Sequence, residues 1–176
     1  MKIIAFGASS SATSINKKLA GYAASLVEGG EVEVLDLNDF ELPLFSEQRE
    51  KELGQPELAK AFFEKIKGAD AVIASFAEHN GSYSAAYKNL FDWVSRIDQK
   101  VFQDKPTVYL ATSPGPGGAK SVLQAAVGSA PFFGVDLKAS LSIPSFYDNF
   151  DMEAGSLRKG ELDSQLQAAV QKLYSN

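Results

Sequence analysis

The chain has no cysteine in its 176 residues. That excludes disulfides, thiolate nucleophiles and Cys-ligated zinc or iron–sulfur centres, and it suits a reducing compartment. A single histidine, His79, is too little for a multi-histidine metal site. Positive charge is also scarce: 17 Lys and Arg stand against 22 Asp and Glu, a formal charge of −5. A nucleic-acid surface calls for clustered basic residues, so none is expected. No apolar run approaches the ~20 residues of a membrane-spanning helix. Only Ile3, Ile4, Ala5 and Phe6 precede Gly7 as an apolar run, short of the roughly 7–15 residues of a secretory leader. The expectation is a soluble, cytoplasmic protein without a nucleic-acid partner or a membrane span.

What is present is the composition of a globular domain, 45% hydrophobic and 22% charged. At this length, folding buries roughly two-thirds of the chain's surface, so no staple is needed. One domain over residues 1–176 is expected, with no repeat or low-complexity tract. Short apolar runs alternate with amphipathic segments. Strands are predicted at Lys2–Phe6, Glu31–Leu37, Asp70–Phe76, Thr107–Thr112 and Leu137–Ile143. Helices are predicted from about Ile15 to Glu28, from Pro56 to near Gly68, over Ser84–Ile97, over Ala119–Phe133 with a late break at Pro131, and over Glu161–Tyr174. Asp39–Gln55 and Pro144–Gly160 read as loops. Alternating strands and helices imply an α/β fold, a five-stranded parallel sheet with helices on both faces. Two doubly wound arrangements fit: the flavodoxin-like order 2-1-3-4-5, or half of a dinucleotide fold. In either, a ligand lies beyond the carboxyl ends of the strands, near the switch point. The loops after the first, third and fourth strands are therefore the candidate site.

The first loop, Gly7 to Asn16, places five hydroxyl side chains in the six positions Ser9–Ser14 and feeds a helix. Free helix N–H groups, the helix dipole and hydroxyl donors make an anion site. The G-x-G-x-x-G and GK[ST] signatures are absent, which favours a terminal monophosphate over a pyrophosphate or a hydrolysed triphosphate. Alternatively, Ser14 is simply a helix N-cap. Lys17 could lend charge to a phosphate or decorate a solvated face. The second loop, Phe76 to Ser84, contains Asn80-Gly81, a pair suited to positive φ; taken alone it reads as an ordinary turn. The third, Thr112 to Gly118, has three glycines that permit close backbone approach to a ligand. No catalytic side chain is expected, because His79 lacks a second anchor for a triad.

At these loops the chain resembles the NADPH-dependent FMN reductase family of the flavodoxin-like superfamily. That family carries G-S-x-R-x-x-S-x-N-x-x-L after its first strand. Ser9, Ser14, Asn16 and Leu19 match it, while Ala8 and Ser11 stand at the family's Gly and Arg. The family's second signature is P-E-Y-N-G-S-Y-P followed by K-N and D-W. Glu78, Asn80, Gly81, Ser82, Tyr83, Lys88, Asn89, Asp92 and Trp93 match; Ala77, His79 and Ser84 depart. The loop Ser113 to Gly118 is similar too.

The resemblance implies non-covalent FMN in a flavodoxin-like three-layer sandwich. Ser9, Ser11, Ser14, Ile15 and Asn16 would hold the phosphate. Ala77, Glu78, His79, Asn80, Gly81 and Ser82 would frame the isoalloxazine, and Ser113, Pro114, Gly117 and Gly118 would border the ribityl chain and ring edge. It further implies ping-pong hydride transfer from NAD(P)H through FMN to a small-molecule electron acceptor: a quinone, flavin, azo dye or metal oxyanion. A flavodoxin-type electron carrier and a sensor of a phosphorylated metabolite are the alternatives. Family members are commonly dimers or tetramers, and Phe40–Phe45 with Tyr87, Phe91 and Trp93 is expected to supply apolar interface surface.

Overall fold

A computed structural model describes residues 1–174. The strands β1 (Lys2–Ala8), β2 (Glu31–Leu35), β3 (Ala71–Phe76), β6 (Lys105–Thr112) and β7 (Val135–Ile143) form one parallel sheet in the order β2-β1-β3-β6-β7. With the two small strands between β3 and β6 set aside, this is the expected 2-1-3-4-5. Every residue of β3 is buried, as are residues 3–8 of β1, because helices cover both faces of the sheet.

Alternation along β1 divides the core in two. Ile4 and Phe6 face α3 (Glu57–Lys67), α4 (Ala85–Ser95) and α5 (Lys120–Ser129), packing with Phe62, Phe76, Trp93 and Tyr109. Ile3 and Ala5 face α1 (Ile15–Ser25) and α7 (Glu161–Gln171), packing with Leu19, Ile73, Leu110 and Leu166.

Element edges differ from expectation for local reasons. The second strand stops at Leu35, because the Asp36 carboxylate accepts from the Asn38 N–H and starts a 3-10 turn over Leu37–Phe40. Pro56 caps α3 from outside the helix, at ψ 141, rather than forming its first residue. The expected loop Asp39–Gln55 contains α2 (Glu47–Leu53), capped by Ser46. Between β3 and α4 lies a hairpin, β4 (Glu78–His79) with β5 (Ser82–Tyr83). The helix expected over Ala119–Phe133 is α-helical only to Ser129 and tightens to 3-10 over Ala130–Phe133, with Pro131 in that turn. The expected loop Pro144–Gly160 holds α6 (Phe146–Asn149) and the hairpin β8 (Phe150–Asp151) and β9 (Ser156–Leu157).

Part of the surface expected for an oligomer is core, while Leu42, Phe45 and Phe91 stay half-buried. Trp93 is fully buried, its indole N–H donating to the Pro43 carbonyl at 2.7 Å and its ring edge-on to Phe45. Tyr87 and Phe40 are buried as well. Leu44 is the large apolar side chain of that region left open, at 69% exposure.

Candidate functional site

The sheet order reverses between β1 and β3, so the loops after them leave in opposite directions and open a cleft at the carboxyl edge. The cleft measures about 340 Å³. Ser9, Ser11, Ser14, Ile15, Asn16, Ala77, Glu78, His79, Ser113 and Pro114 all line it, as do Thr13, Thr112 and Tyr147. Three loops separated by up to a hundred residues of chain thus meet at one place.

The start of α1 forms one end. Ser14 caps the helix, its Oγ accepting from the Lys17 N–H at 3.1 Å. The Ile15 and Asn16 N–H groups in the first turn have no intrahelical acceptor. No acidic residue occupies that turn, so the positive end of the helix is unopposed. The hydroxyl loop folds on itself: Ser9 Oγ accepts from the Ser11 N–H, and Ser11 Oγ from the Thr13 N–H. The hydroxyl hydrogens of Ser9 and Ser14 remain available to donate outward. Gly7 lets the helix start sit this close to the strand. A Cβ there would lie 2.3 Å from the Lys17 nitrogen and 2.8 Å from the Asn16 carbonyl carbon.

Two expected phosphate contacts have other partners. The Asn16 side chain is buried and both its polar atoms are bonded: Oδ1 accepts from Ser75 Oγ at 2.7 Å and from the Thr112 N–H at 3.1 Å, and Nδ2 donates one N–H to the Thr112 carbonyl at 3.2 Å. It ties α1 to β3 and β6, which leaves its backbone N–H for a ligand. Lys17 Nζ pairs with Asp36 at 2.5 Å, and this bond is the main cause holding the Asp36 carboxyl below its ordinary range. With Ser11 at the family's arginine position, no Lys or Arg among the described residues lines the cleft.

The second loop is a hairpin. Asn80 and Gly81 have φ 52 and 77, the pattern of a type I′ turn. Asn80, Gly81 and Ser82 form its exposed tip beyond the cleft lining. Glu78 turns its carboxylate to the Val122 N–H at 2.8 Å, capping α5. Ser84, where the family has proline, caps α4 and donates to the Ala8 carbonyl at 2.7 Å, joining the first two loops.

The third loop is braced from β7 onward. The Ser113 and Gly115 carbonyls accept from the Phe146 and Ser145 N–H groups at 3.0 and 2.9 Å. Gly117 is exposed and Gly118 is buried beneath the loop, where its carbonyl accepts from Ser142 Oγ; neither reaches the cleft lining. This bracing also brings Tyr147, 56% exposed, to the cleft border. Tyr147 lies on the segment after the fifth strand, outside the three loops that the sequence singles out. Thr112 carried a signal, as the last residue of an apolar strand at the switch-point edge.

A doubly wound α/β protein with free helix N–H groups, outward hydroxyls and a cleft at the switch point has the features of the class that holds anionic ligands at that edge. The chain is a member of the NADPH-dependent FMN reductase family, whose sequence profile matches residues 1–146. That family consists of oxidoreductases whose cofactors are FMN and a reduced nicotinamide nucleotide. The chain is similar to an NADPH:quinone oxidoreductase of Arabidopsis thaliana, 37% identical over 95 residues that cover 54% of the chain and 47% of the relative. An NAD(P)H-dependent FMN reductase of Pseudomonas aeruginosa is 32% identical over 116 residues, 65% of the chain and 61% of that protein. The matches thus span about half the length of these curated relatives. The solved structure of FerB, a flavoenzyme NAD(P)H:(acceptor) oxidoreductase from Paracoccus denitrificans, superposes with TM-score 0.76 at 26% identity, over 98% of this chain and 94% of that one. Among the described residues, no helix is long and apolar enough to cross a membrane.

Proposed function

We propose that residues 1–176 act as one cytoplasmic domain that binds FMN in the switch-point cleft and reduces a small-molecule acceptor at the expense of NAD(P)H. The observation that carries this is the convergence of the three loops on one cleft, with unpaired N–H groups at the α1 end. The Ile15 and Asn16 N–H groups and the Ser9, Ser11 and Ser14 hydroxyls hold the phosphate. Ala77, Glu78 and His79 frame the ring, the Asn80–Ser82 tip sets its outer margin, and Ser113 and Pro114 border the ribityl chain, with Gly117 and Gly118 shaping that loop. Bound there, the flavin supplies hydride acceptance from NAD(P)H and delivery to a quinone, flavin, azo or metal-oxyanion acceptor, in a ping-pong cycle. The side chains bind and orient; no lining residue is needed as an acid or base.

A homodimer or homotetramer completes the reading. Leu44 stands open beside a groove of about 360 Å³ that Phe40, Leu42 and Ala85 share with Ser10 of the first loop, so a second copy there would adjoin the cleft. Light scattering at assay concentration tests it, and a monomer counts against it.

The activity is tested by reconstituting the protein with FMN and removing free flavin by gel filtration. The expected result is a retained flavin spectrum that bleaches with NADPH and recovers on adding 1,4-benzoquinone, with parallel double-reciprocal plots. A colourless protein refutes the cofactor assignment. Retained colour without NAD(P)H oxidation refutes the enzyme and leaves an electron carrier.

A further inference from the structure

A second cavity, about 390 Å³, lies between α4 and α5 on the far side of the β4–β5 hairpin. It shares no lining residue with the switch-point cleft. Phe76 and Tyr109 form its floor from β3 and β6, and Tyr83, Tyr87 and Phe91 wall it. The rings are interlocked edge to face, Phe76 with Tyr109 at 4.9 Å and with Tyr87 at 5.4 Å. Its size falls within the range of small-molecule sites.

Its polar content is unusual for a packing defect. Tyr87 and Tyr109 line the cavity at 5% and 3% exposure, and their hydroxyls keep open surface, since the one fully buried side-chain polar atom without a partner among the described residues is Gln55 Oε1. Burial drives both phenols well above their ordinary pKa, so they stay protonated at neutral pH, and Tyr83 lines the same cavity. At the rim, Lys88 and Asp92 neutralise one another at 2.7 Å. The cavity therefore offers flat apolar walls, oriented O–H donors and no net charge.

We propose that this cavity is a second ligand site that takes a neutral one- or two-ring aromatic carbonyl compound, its ring against Phe76 and Phe91 and its oxygen accepting from the Tyr87 and Tyr109 hydroxyls. The assignment does not depend on the flavin reading, because the two sites have no residue in common. An ionised ligand is disfavoured, since no unpaired charge faces the cavity. Tyr83 lies opposite Glu78 in the hairpin ladder, so an occupant touches the strand pair that borders the cleft on its other side.

The probe is 1-indanone, an aryl ketone inert to hydride transfer under assay conditions, titrated into protein carrying ring-labelled tyrosine. The expected result is saturable shifts at Tyr83, Tyr87 and Tyr109, and none at Tyr22 or Tyr174. Tyr87→Phe and Tyr109→Phe keep the rings and should each weaken binding by about five- to tenfold. Indane, which lacks the carbonyl, should bind weakly and equally to all three proteins. Saturating FMN should leave the indanone titration unchanged. The proposal is overturned if these tyrosines do not shift, if indane binds as well as indanone, or if FMN displaces the ketone. Tyrosine shifts that follow protein dilution instead of ketone would assign the cavity to a contact between copies, and would also overturn it. The indane comparison uses the unaltered protein, so misfolding of a variant leaves the test intact.

Discussion

At the residue scale, the hydrogen bonds decide which polar side chains serve the ligand and which serve the fold. Asn16 serves the fold. Asn16→Ala leaves the Ser75 hydroxyl and the Thr112 N–H and carbonyl unpaired in a buried setting. Its expected cost is about 3 kcal/mol or more in urea unfolding of the apoprotein. Ser14→Ala removes one cap and should cost about 1 kcal/mol. Equal losses would contradict the Asn16 network. The motif made Asn16 and Ser14 look equivalent, because the asparagine's partners lie 59 and 96 positions away and no local pattern reveals them. Tyr22 supplies a pH test. Burial, then its 2.6 Å hydrogen bond to Asp163 and that residue's charge, raise its pKa from 10.0 to about 12. The native state holds this proton more tightly than the unfolded chain does. The stabilisation is thus complete below about pH 10 and is lost as pH rises toward 12. Urea midpoints of Tyr22→Phe should therefore fall less steeply than those of the parent protein across that window. Tyr87 and Tyr109 also resist ionisation, but they are common to both proteins and cancel in the difference.

At the scale of elements, glycine substitutions separate conformational strain from blocked approach. Gly81 has φ 77 and open space around it, so Gly81→Ala strains only the turn, by about 1–2 kcal/mol. Gly7 has no such φ, yet an added Cβ meets backbone of α1 below 3 Å. Gly7→Ala must push the helix start away from β1, costing about 3 kcal/mol and weakening FMN binding as well. Urea unfolding and flavin titration of the two variants check this; a Gly7→Ala protein with unchanged flavin affinity would show that the helix start does not hold the phosphate. The central strands were legible in the sequence because they are buried on both faces and read as apolar runs. By contrast, α2 was illegible for a physical reason. None of its residues is buried, so it has no amphipathic period, and it is held by the Ser46 cap and the Arg96–Glu50 ion pair. The three loops that line the cleft were legible from topology, whereas Tyr147 reaches it through backbone bonds between loops that lie about thirty residues apart.

At the scale of the whole molecule, charge and cofactor affinity pull in opposite directions. The protein carries −5, FMN brings a phosphate dianion, and no Lys or Arg among the described residues lines the cleft. Long-range electrostatics therefore oppose association, and affinity must come from N–H groups, hydroxyls and ring contacts at short range. Such contacts are poorly screened by salt, whereas the long-range repulsion is screened within a Debye length of about 8 Å at physiological ionic strength. Raising salt should leave FMN affinity unchanged or slightly improved, opposite to the loss expected of a lysine-lined phosphate site. Ligand linkage turns this into a calorimetric measurement. FMN at about 100 times its Kd stabilises the native state by about 2.7 kcal/mol. For a domain of this size that raises Tm by roughly 5–11 °C. Riboflavin has the ring and ribityl chain but no phosphate, so at equal concentration it should raise Tm by less. The gap between the two flavins should shrink in Ser14→Ala and persist from about 50 to about 500 mM salt. If riboflavin matches FMN in the unaltered protein, the hydroxyl loop and the α1 end do not hold a phosphate. If instead the FMN advantage collapses as salt rises, a cation outside the cleft lining, such as Lys17 released from Asp36, supplies the binding.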